Sequence, residues 1–320
     1  MKIAFVVDPL RSFNIKKDST YAMMVEASLR GHELYVLEQD GLVWKRNRVF
    51  GAMSRITLRK DPHNWYALEP AVEVHLAELD CVLMRKDPPF DVEYVTTTWL
   101  LEQAEREGAR VFNNPRALRD HSEKLAISQF TDFIAPTLVA RSAGELHSFI
   151  DQHADVVLKP LFGMGGESVF RVTDSDPNRN VIVETLSQHG RRTVMAQRYI
   201  PEIRDGDKRV LLIGGKPVPH CLARIPKAGE SRGNLATGGT GVARPLGARE
   251  LQIAQAMGPE LARRGLLLVG LDVIGDYLTE INVTSPTCFQ EITQQTGFNV
   301  AGMFLDELER ACAARPWSGS

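Results

Sequence analysis

A chain of 320 residues with 38 Lys and Arg against 40 Asp and Glu carries a formal charge of −2. That balance excludes non-specific nucleic-acid binding or polybasic membrane binding as the main role. Hydrophobic residues make up 43% of the chain, enough for packed cores and too many for wholesale disorder. At about 100–200 residues per domain, two or three domains are expected.

The chain opens with Lys2–Val7, a short apolar strand stopped by Asp8-Pro9 and too short for a signal peptide. Asp18 or Ser19 caps a helix over Tyr21–Arg30, stopped by Gly31. Strands follow at Glu33–Leu37, in pieces of Val43–Lys60, and at Cys81–Arg85; a helix over Trp99–Glu107 leads to a strand at Arg110–Asn113. This alternation predicts a parallel sheet covered on both faces. Pro115–His121 reads as a boundary. Beyond it, strands are expected at Val156–Lys159, Ser168–Val172 and Thr193–Tyr199, with helices near Gly144–His153 and Asn180–Gln188. From Asp207 the pattern turns antiparallel. Arg209–Ile213 meets Lys216–Arg224 through Gly214-Gly215, and Leu267–Ile274 meets Tyr277–Val283 through Gly275-Asp276. A long polar loop, Ile225–Gly241, and a helix over Glu250–Arg264 separate these hairpins; a terminal helix covers Ala301–Ala314. The greasiest run, Leu266–Gly275, holds Asp272 and is far shorter than the ~20 residues of a membrane helix. Cys81, Cys221, Cys288 and Cys312 form no CxxC or zinc spacing, which suits a reducing cytoplasm.

Four features carry chemistry. In the last hairpin, Glu280 and Asn282 share one face of their strand and the tight turn can bring Asp272 alongside. Carboxylates amid apolar strand residues need a cation or a partner, and such hard oxygens suit Mg2+ completed by water and phosphate. Lys159-Pro160-Leu161-Phe162-Gly163-Met164-Gly165-Gly166 ends a strand with a lysine and continues into glycines whose N–H groups can approach phosphate oxygens. It lacks the GK[ST] ending of a P-loop and the GxGxxG spacing of a dinucleotide fingerprint. The loop Ile225–Gly241, with Gly229, Gly233, Asn234, Gly238 and Gly239 among basic residues, suits a lid closing on an anion. Gln197-Arg198-Tyr199-Ile200 runs into Pro201, with Asp207 and Arg209 just downstream. Each has a plain alternative as a polar hairpin, a turn, a solvated linker or a strand end. Together they predict a Mg-nucleotide site between two β-rich lobes, with Lys124 and Lys159 facing phosphates. The histidines form no metal spacing and no GxSxG elbow is present, which argues against serine hydrolase chemistry.

The order of KPLFGMGG at 159–166, Asp207-Lys208-Arg209, Ala223-Arg224-Ile225-Pro226 and Thr279-Glu280-Ile281-Asn282-Val283-Thr284-Ser285-Pro286-Thr287 closely resembles the bacterial glutathione synthetase family of ATP-grasp ligases. Asn14–Ser19 and Met84–Asp91 (MRKDPPFD) look like the same family, and the likeness spans nearly the whole chain. The resemblance implies an α/β chain, α+β in its C-terminal half. An N-terminal parallel-sheet pre-ATP-grasp domain (residues 1–120) would precede a two-lobed ATP-grasp domain (121–200 and 201–315). It implies ligation of γ-glutamylcysteine to glycine through an acyl phosphate, with ATP as co-substrate and Mg2+, or Mn2+, as the ion. On this likeness Asp272, Glu280 and Asn282 hold metal. Lys124, Lys159, Gly163, Met164, Gly165 and Gly166 meet phosphates; Gln197, Arg198, Tyr199 and Ile200 border adenine, and Asp207 approaches the ribose. Arg209 and Arg224 stabilise the transferring phosphoryl group or the oxyanion. Arg85, Ser285 and Thr287 are assigned to the dipeptide. A homotetramer is implied, with no nucleic-acid or membrane partner. Another ATP-grasp carboxylate–amine ligase and a nucleotide-binding module without turnover are the alternatives.

Overall fold

A computed structural model describes residues 1–163, 165–227, 233 and 238–314. Its elements, in chain order, begin with β1 (Lys2–Val6), α1 (Ser19–Leu29), β2 (Glu33–Leu37), β3 (Leu42–Lys45), β4 (Arg48–Leu58), β5 (Tyr66–Leu68), β6 (Val72–His75), β7 (Cys81–Met84), α2 (Val92–Arg106), β8 (Val111–Phe112) and α3 (Pro115–Asp120). Next come β9 (Thr137–Ala140), α4 (Ala143–His153), β10 (Asp155–Pro160), β11 (Phe170–Thr173), α5 (Arg179–Ser187) and β12 (Val194–Arg198). The rest is β13 (Asp207–Ile213), β14 (Lys216–Ile225), β15 (Thr240–Pro245), α6 (Ala248–Arg263), β16 (Leu268–Ile274), β17 (Tyr277–Asn282), α7 (Phe289–Thr296) and α8 (Val300–Ala313). No described helix is long and apolar enough to cross a membrane.

Three sheets form among these residues. In the first, β2, β1, β7 and β8 run parallel as the sequence predicts. The expectation of a wholly parallel sheet fails beyond β2. There β4 pairs antiparallel and carries β3, β5 and β6 antiparallel as well. The hairpin turn at Arg46-Asn47, both left-handed, folds β3 directly onto β4 and leaves no room for a crossover helix.

Side chains of β1 alternate between two cores. Ala4 and Val6 join Leu101 and Ala104 of α2 on one face. Ile3 and Phe5 join Met23, Met24 and Ala27 of α1 and Phe304, Leu305 and Leu308 of α8 on the other. Asp18 caps α1 by accepting from Tyr21 N–H, and Asp91 caps α2 through Tyr94 N–H. Asn114 caps and Pro115 opens the one-and-a-half-turn α3.

The second sheet, in order β11-β10-β12-β9, is antiparallel, and α4 and α5 cover one face with a small core around Phe149, Ile150, Val156, Leu158 and Val194. The third, β15-β14-β13-β16-β17, is antiparallel throughout and its strands feed both large cores: Val210 and Leu212 go one way, Leu211 and Ile213 the other. The Asn113 amide joins the first sheet to the third. Its Nδ2 donates to Leu268 and Val283 carbonyls at 2.8 Å each, and its Oδ1 accepts from Leu268 N–H at 2.9 Å.

Candidate active site

The edge pair β16–β17 places Asp272 directly opposite Glu280 and Gly270 opposite Asn282. A bulge after Asp272 lets the tight turn close while keeping that register. The predicted grouping of Asp272, Glu280 and Asn282 is therefore present. What the sequence did not reveal is how Asp272 is held. Arg209, its neighbour on β13, donates from Nε and Nη2 at 2.6 and 3.1 Å, and Arg224 of β14 reaches its Oδ2 at 2.9 Å. Arg224 also bonds Asp207 Oδ2 at 2.5 Å. All four side chains lie on three adjacent antiparallel strands and are buried or nearly so. Burial would raise the Asp272 pKa, but the two guanidinium groups outweigh it and hold the carboxyl well below its ordinary range. Asp207 shares Arg224 with Asp272 and leaves Oδ1 without a partner among the described residues; burial pushes its pKa up to about 7. Gly270 makes room for this arrangement. A Cβ there would stand 2.9 Å from Arg209 Cδ.

Glu280 is held more loosely, 3.8 Å from Lys124 Nζ and 3.7 Å from Lys159 Nζ. Lys124 donates to Gly163 O at 2.9 Å and Lys159 to Thr279 O at 3.4 Å. Burial lowers the Lys159 pKa while Glu280 raises it in part. The glycine loop between β10 and β11 takes positive φ at Gly163, Gly165 and Gly166 (132°, 68° and 78°), conformations that suit glycine and turn backbone toward the cleft.

Two cavities meet at this point. One, of about 130 Å3, is lined by Lys124, Lys159, Gly163, Gly165, Gly166, the run Gln197–Ile200, Asp207, Gly233, Asp272 and Glu280, with Val157, Ile203 and Ile274 as apolar wall. The other, of about 200 Å3, is lined by Arg209, Arg224, Asn282, the turn Thr284–Cys288 and Glu123, and shares Gly163, Gly165, Asp272 and Glu280 with the first. Asp272 and Glu280 therefore sit on the seam between a lysine-lined cavity and an arginine-lined one. A roomier cavity of about 550 Å3 opens beside β1 and β2, but its charges are Asp8, Glu38, Asp40 and Arg11, a lining unsuited to a triphosphate.

Arg85, Ser285 and Thr287 also come together. Arg85 is buried, donates to Thr20 Oγ1 and Pro286 O at 3.1 Å each, and its carbonyl faces the Ser285 hydroxyl. Thr287 lies two residues beyond Ser285, beside Cys288, a non-glycine residue at φ 89°. Of the loop glycines, Gly233 is buried against Arg224 and Asp207, and Gly238 and Gly239 precede β15, which starts at Thr240 and so shortens the expected loop. Met164, Gly229 and Asn234 lie outside the described residues. Sequence reasoning missed Glu123 and Thr284, although Glu123 adjoins Lys124 and Thr284 follows the ExN strand closely.

Two antiparallel sheets clasping such a cleft define an ATP-grasp fold. The backbone is similar to D-cycloserine synthetase DcsG, with TM-score 0.67 at 15% identity over 98% of this chain and 100% of that one. It is also similar to ATP-grasp ligase PsnB complexed with minimal precursor, Mg and ADP, with TM-score 0.63 at 15% identity over 98% of each chain. At these identities the likeness is one of fold. The family is closer to hand. The prokaryotic glutathione synthetase N-terminal domain model matches residues 1–119 and the prokaryotic glutathione synthetase ATP-grasp domain model matches residues 123–297. Glutathione synthetases of Ralstonia nicotianae (62% identical, 97% of this chain and 96% of that one) and Nitrosomonas europaea (56%, 98% and 99%) align along nearly their whole length. The chain belongs to the prokaryotic glutathione synthetase family.

Proposed function

We propose that this chain joins γ-glutamylcysteine to glycine with ATP, releasing glutathione, ADP and phosphate. The observation that carries the reading is the seam. Lysines and loop glycines lie on one side, as a triphosphate requires; two arginines and a polar turn lie on the other, as a carboxylate acceptor requires. Lys124, Lys159 and the loop N–H groups hold the phosphates, and Gln197–Ile200 with Val157, Ile203 and Ile274 wall the base. Asp207 borders the ribose end. The donor carboxylate attacks the terminal phosphorus; Arg209 and Arg224 face the second cavity, where charge on the transferring group and then on the tetrahedral oxyanion develops. Both arginines are already oriented by Asp272, so little reorganisation accompanies the reaction. The acceptor amine then displaces phosphate from the acyl carbon. Arg85 with the Ser285–Thr287 turn takes the dipeptide, and the segment 225–241 shields the acyl phosphate from water.

A divalent ion fits the seam. Asp272 and Glu280 are register partners, and Asn282 gives its Nδ2 to Gly270 O at 3.3 Å, which leaves its amide oxygen available. The described residues hold no cluster of three His, Cys, Asp or Glu, so Mg2+, or Mn2+, would rest on two carboxylates and an amide, with phosphate and water completing it. When bound, it neutralises phosphate charge. We further divide the chain into a substrate domain (1–120) and two ATP-grasp lobes (121–200, 201–315), acting in the cytoplasm as a homotetramer.

The test is direct. Protein is incubated with ATP, Mg2+, γ-glutamylcysteine and glycine, and phosphate and tripeptide are measured. Equal yields of both, dependent on dipeptide and glycine, are expected. Phosphate release indifferent to the dipeptide, or turnover confined to D-alanine or glutamate acceptors in a parallel panel, would reject the reading.

A further inference from the structure

The arginine-lined cavity holds a carboxylate, Glu123, that forms no ion pair among the described residues. Asp272 is bridged by Arg209 and Arg224, and Glu280 lies between Lys124 and Lys159. Glu123 has a neutral partner instead: the Thr284 hydroxyl donates to its Oε1 at 2.9 Å, and among the described residues no Lys, Arg or His forms an ion pair with it. Its backbone is pinned, because its carbonyl accepts the N–H of Ile281 at 2.8 Å. Asp87 also lines this cavity but is exposed to solvent, which screens its charge.

The chain direction at this point separates two charges. Lys124 lines the nucleotide cavity and bonds the glycine loop there. Glu123, one residue earlier, lines the other cavity. One peptide unit thus presents a cation to the phosphates and an anion to the space where the acyl phosphate is consumed. Burial and the nearby Glu280 push the Glu123 pKa up and outweigh the Thr284 hydroxyl and the more distant Lys124 and Arg209.

We propose that Glu123 receives the ammonium group of the acceptor amino acid and so sets the affinity for glycine. The inference rests on the ligase reading above. Glycine arrives as a zwitterion, and its positive end needs a carboxylate within hydrogen-bond reach. The donor dipeptide also bears an ammonium group, but at the far end of its glutamyl side chain, away from the reacting carboxylate. Glu123 belongs to the seam instead. Glu280, Lys124 and Arg209 are the charges that act on it; Ser285 and Thr287, assigned to the dipeptide, line the same cavity, so the reacting end of the dipeptide and the acceptor meet there, while Arg85 stands outside it. The transfer itself balances without an added reagent. The N–C bond forms, the C–O bond to phosphorus breaks and phosphate leaves with that electron pair. Of the two protons the ammonium loses, one goes to the departing phosphate and one to water.

Hydroxylamine tests this assignment, because at neutral pH it is uncharged and traps an acyl phosphate as a hydroxamate without needing an ammonium site. Full-length protein, Glu123→Gln and Glu123→Asp are compared with glycine and with hydroxylamine as nucleophile. Glu123→Gln is expected to raise the glycine KM by about 10-fold or more, the size of a lost charge-assisted hydrogen bond. The KM values for dipeptide and ATP and the hydroxamate rate stay within about threefold. Glu123→Asp recovers part of the glycine affinity. A fall in hydroxamate and glycine transfer together, an unchanged glycine KM, or a rise confined to the dipeptide KM would overturn the assignment. If unmodified protein forms no dipeptide-dependent hydroxamate, the ligase reading itself falls and takes this one with it.

Discussion

The sheet β13–β17 shares both large apolar cores with the N-terminal half, whereas β9–β12 keeps most of its buried side chains in a small core of its own under α4 and α5. Charge divides in the same way. The first of these sheets carries the interlocked set Asp207, Arg224, Asp272 and Arg209. The second reaches across the cleft with Lys159 to Thr279 O, and with Arg198, whose Nη2 donates to the Tyr277 hydroxyl at 3.0 Å. One side is thus a platform set before any ligand arrives. The other is a jaw that can shift against it while its own core stays packed, since only Met195 among the buried side chains of β12 enters the large core.

Breaking the platform should have the largest effect. Asp272→Asn leaves Arg209 and Arg224 buried with the counter-charge halved or lost. A destabilisation of about 3–5 kcal/mol is expected, together with loss of tripeptide synthesis. Urea unfolding and the coupled phosphate assay measure both. A variant with unchanged midpoint would mean that the arginines find solvent, and that the platform is not fixed by this carboxylate.

The joint between platform and N-terminal sheet is the next target. Asn113→Ala removes three hydrogen bonds and leaves the Leu268 N–H and the Leu268 and Val283 carbonyls in a buried strand pair. About 3 kcal/mol of stability should be lost. Hydrogen exchange should quicken in β8, β16 and β17 while β10 and β12 keep their protection. Uniform quickening would show that jaw and platform unfold as one body.

Glu280→Gln should separate chemistry from stability. Its carboxylate sits 3.7–3.8 Å from two lysines and is not locked by guanidinium groups. Activity is expected to fall about 100-fold with a raised Mg2+ requirement, while the melting temperature moves by no more than a few degrees. An equal loss of stability would place Glu280 in the platform with Asp272.

These contrasts mark what the sequence can disclose. Strand alternation and the GD turn put Asp272, Glu280 and Asn282 in one cluster, because period-two geometry is local. The Arg209–Asp272–Arg224 bridges join residues 63 and 48 positions apart through strand order, which no local pattern encodes. Helix α7, Phe289–Thr296, went unread because FQEITQQT is mostly polar and its buried Phe289 and Ile292 are too few to announce a period. The edge strands β5 and β6 are three and four residues long with exposed faces, and only pairing with β4 makes them strands. Asn114-Pro115 carries a readable cap-and-N1 signal for the short helix α3. Glu123 escapes a local reading because a lone acid beside a lysine is common on any surface; that it lines the cavity with only the Thr284 hydroxyl bonded to its carboxylate among the described residues appears only in three dimensions.

A smaller effect tests the joint at its other end. Glu105 of α2 accepts from Asn114 Nδ2 at 3.2–3.3 Å, and Asn114 N–H donates to the Gly265 carbonyl of the platform's α6–β16 turn at 3.0 Å. Burial pushes the Glu105 pKa up to about 7, and an amide donor cannot offset it as the arginines do for Asp272. Below about pH 4.5 the carboxyl is protonated in folded and unfolded chains alike. Between there and about pH 7 the unfolded chain ionises while the folded chain holds its proton, so this group's contribution to stability declines as pH rises. Glu105→Gln keeps an oxygen for Asn114 and removes the titration. Partial exposure trims the effect, so the variant should gain about 1–2 kcal/mol over the parent at pH 8 and nothing at pH 4. Urea midpoints at both pH values decide it. A gain that is the same at both would trace to packing, and a loss at pH 8 would mean that the ionised carboxylate is itself part of the joint.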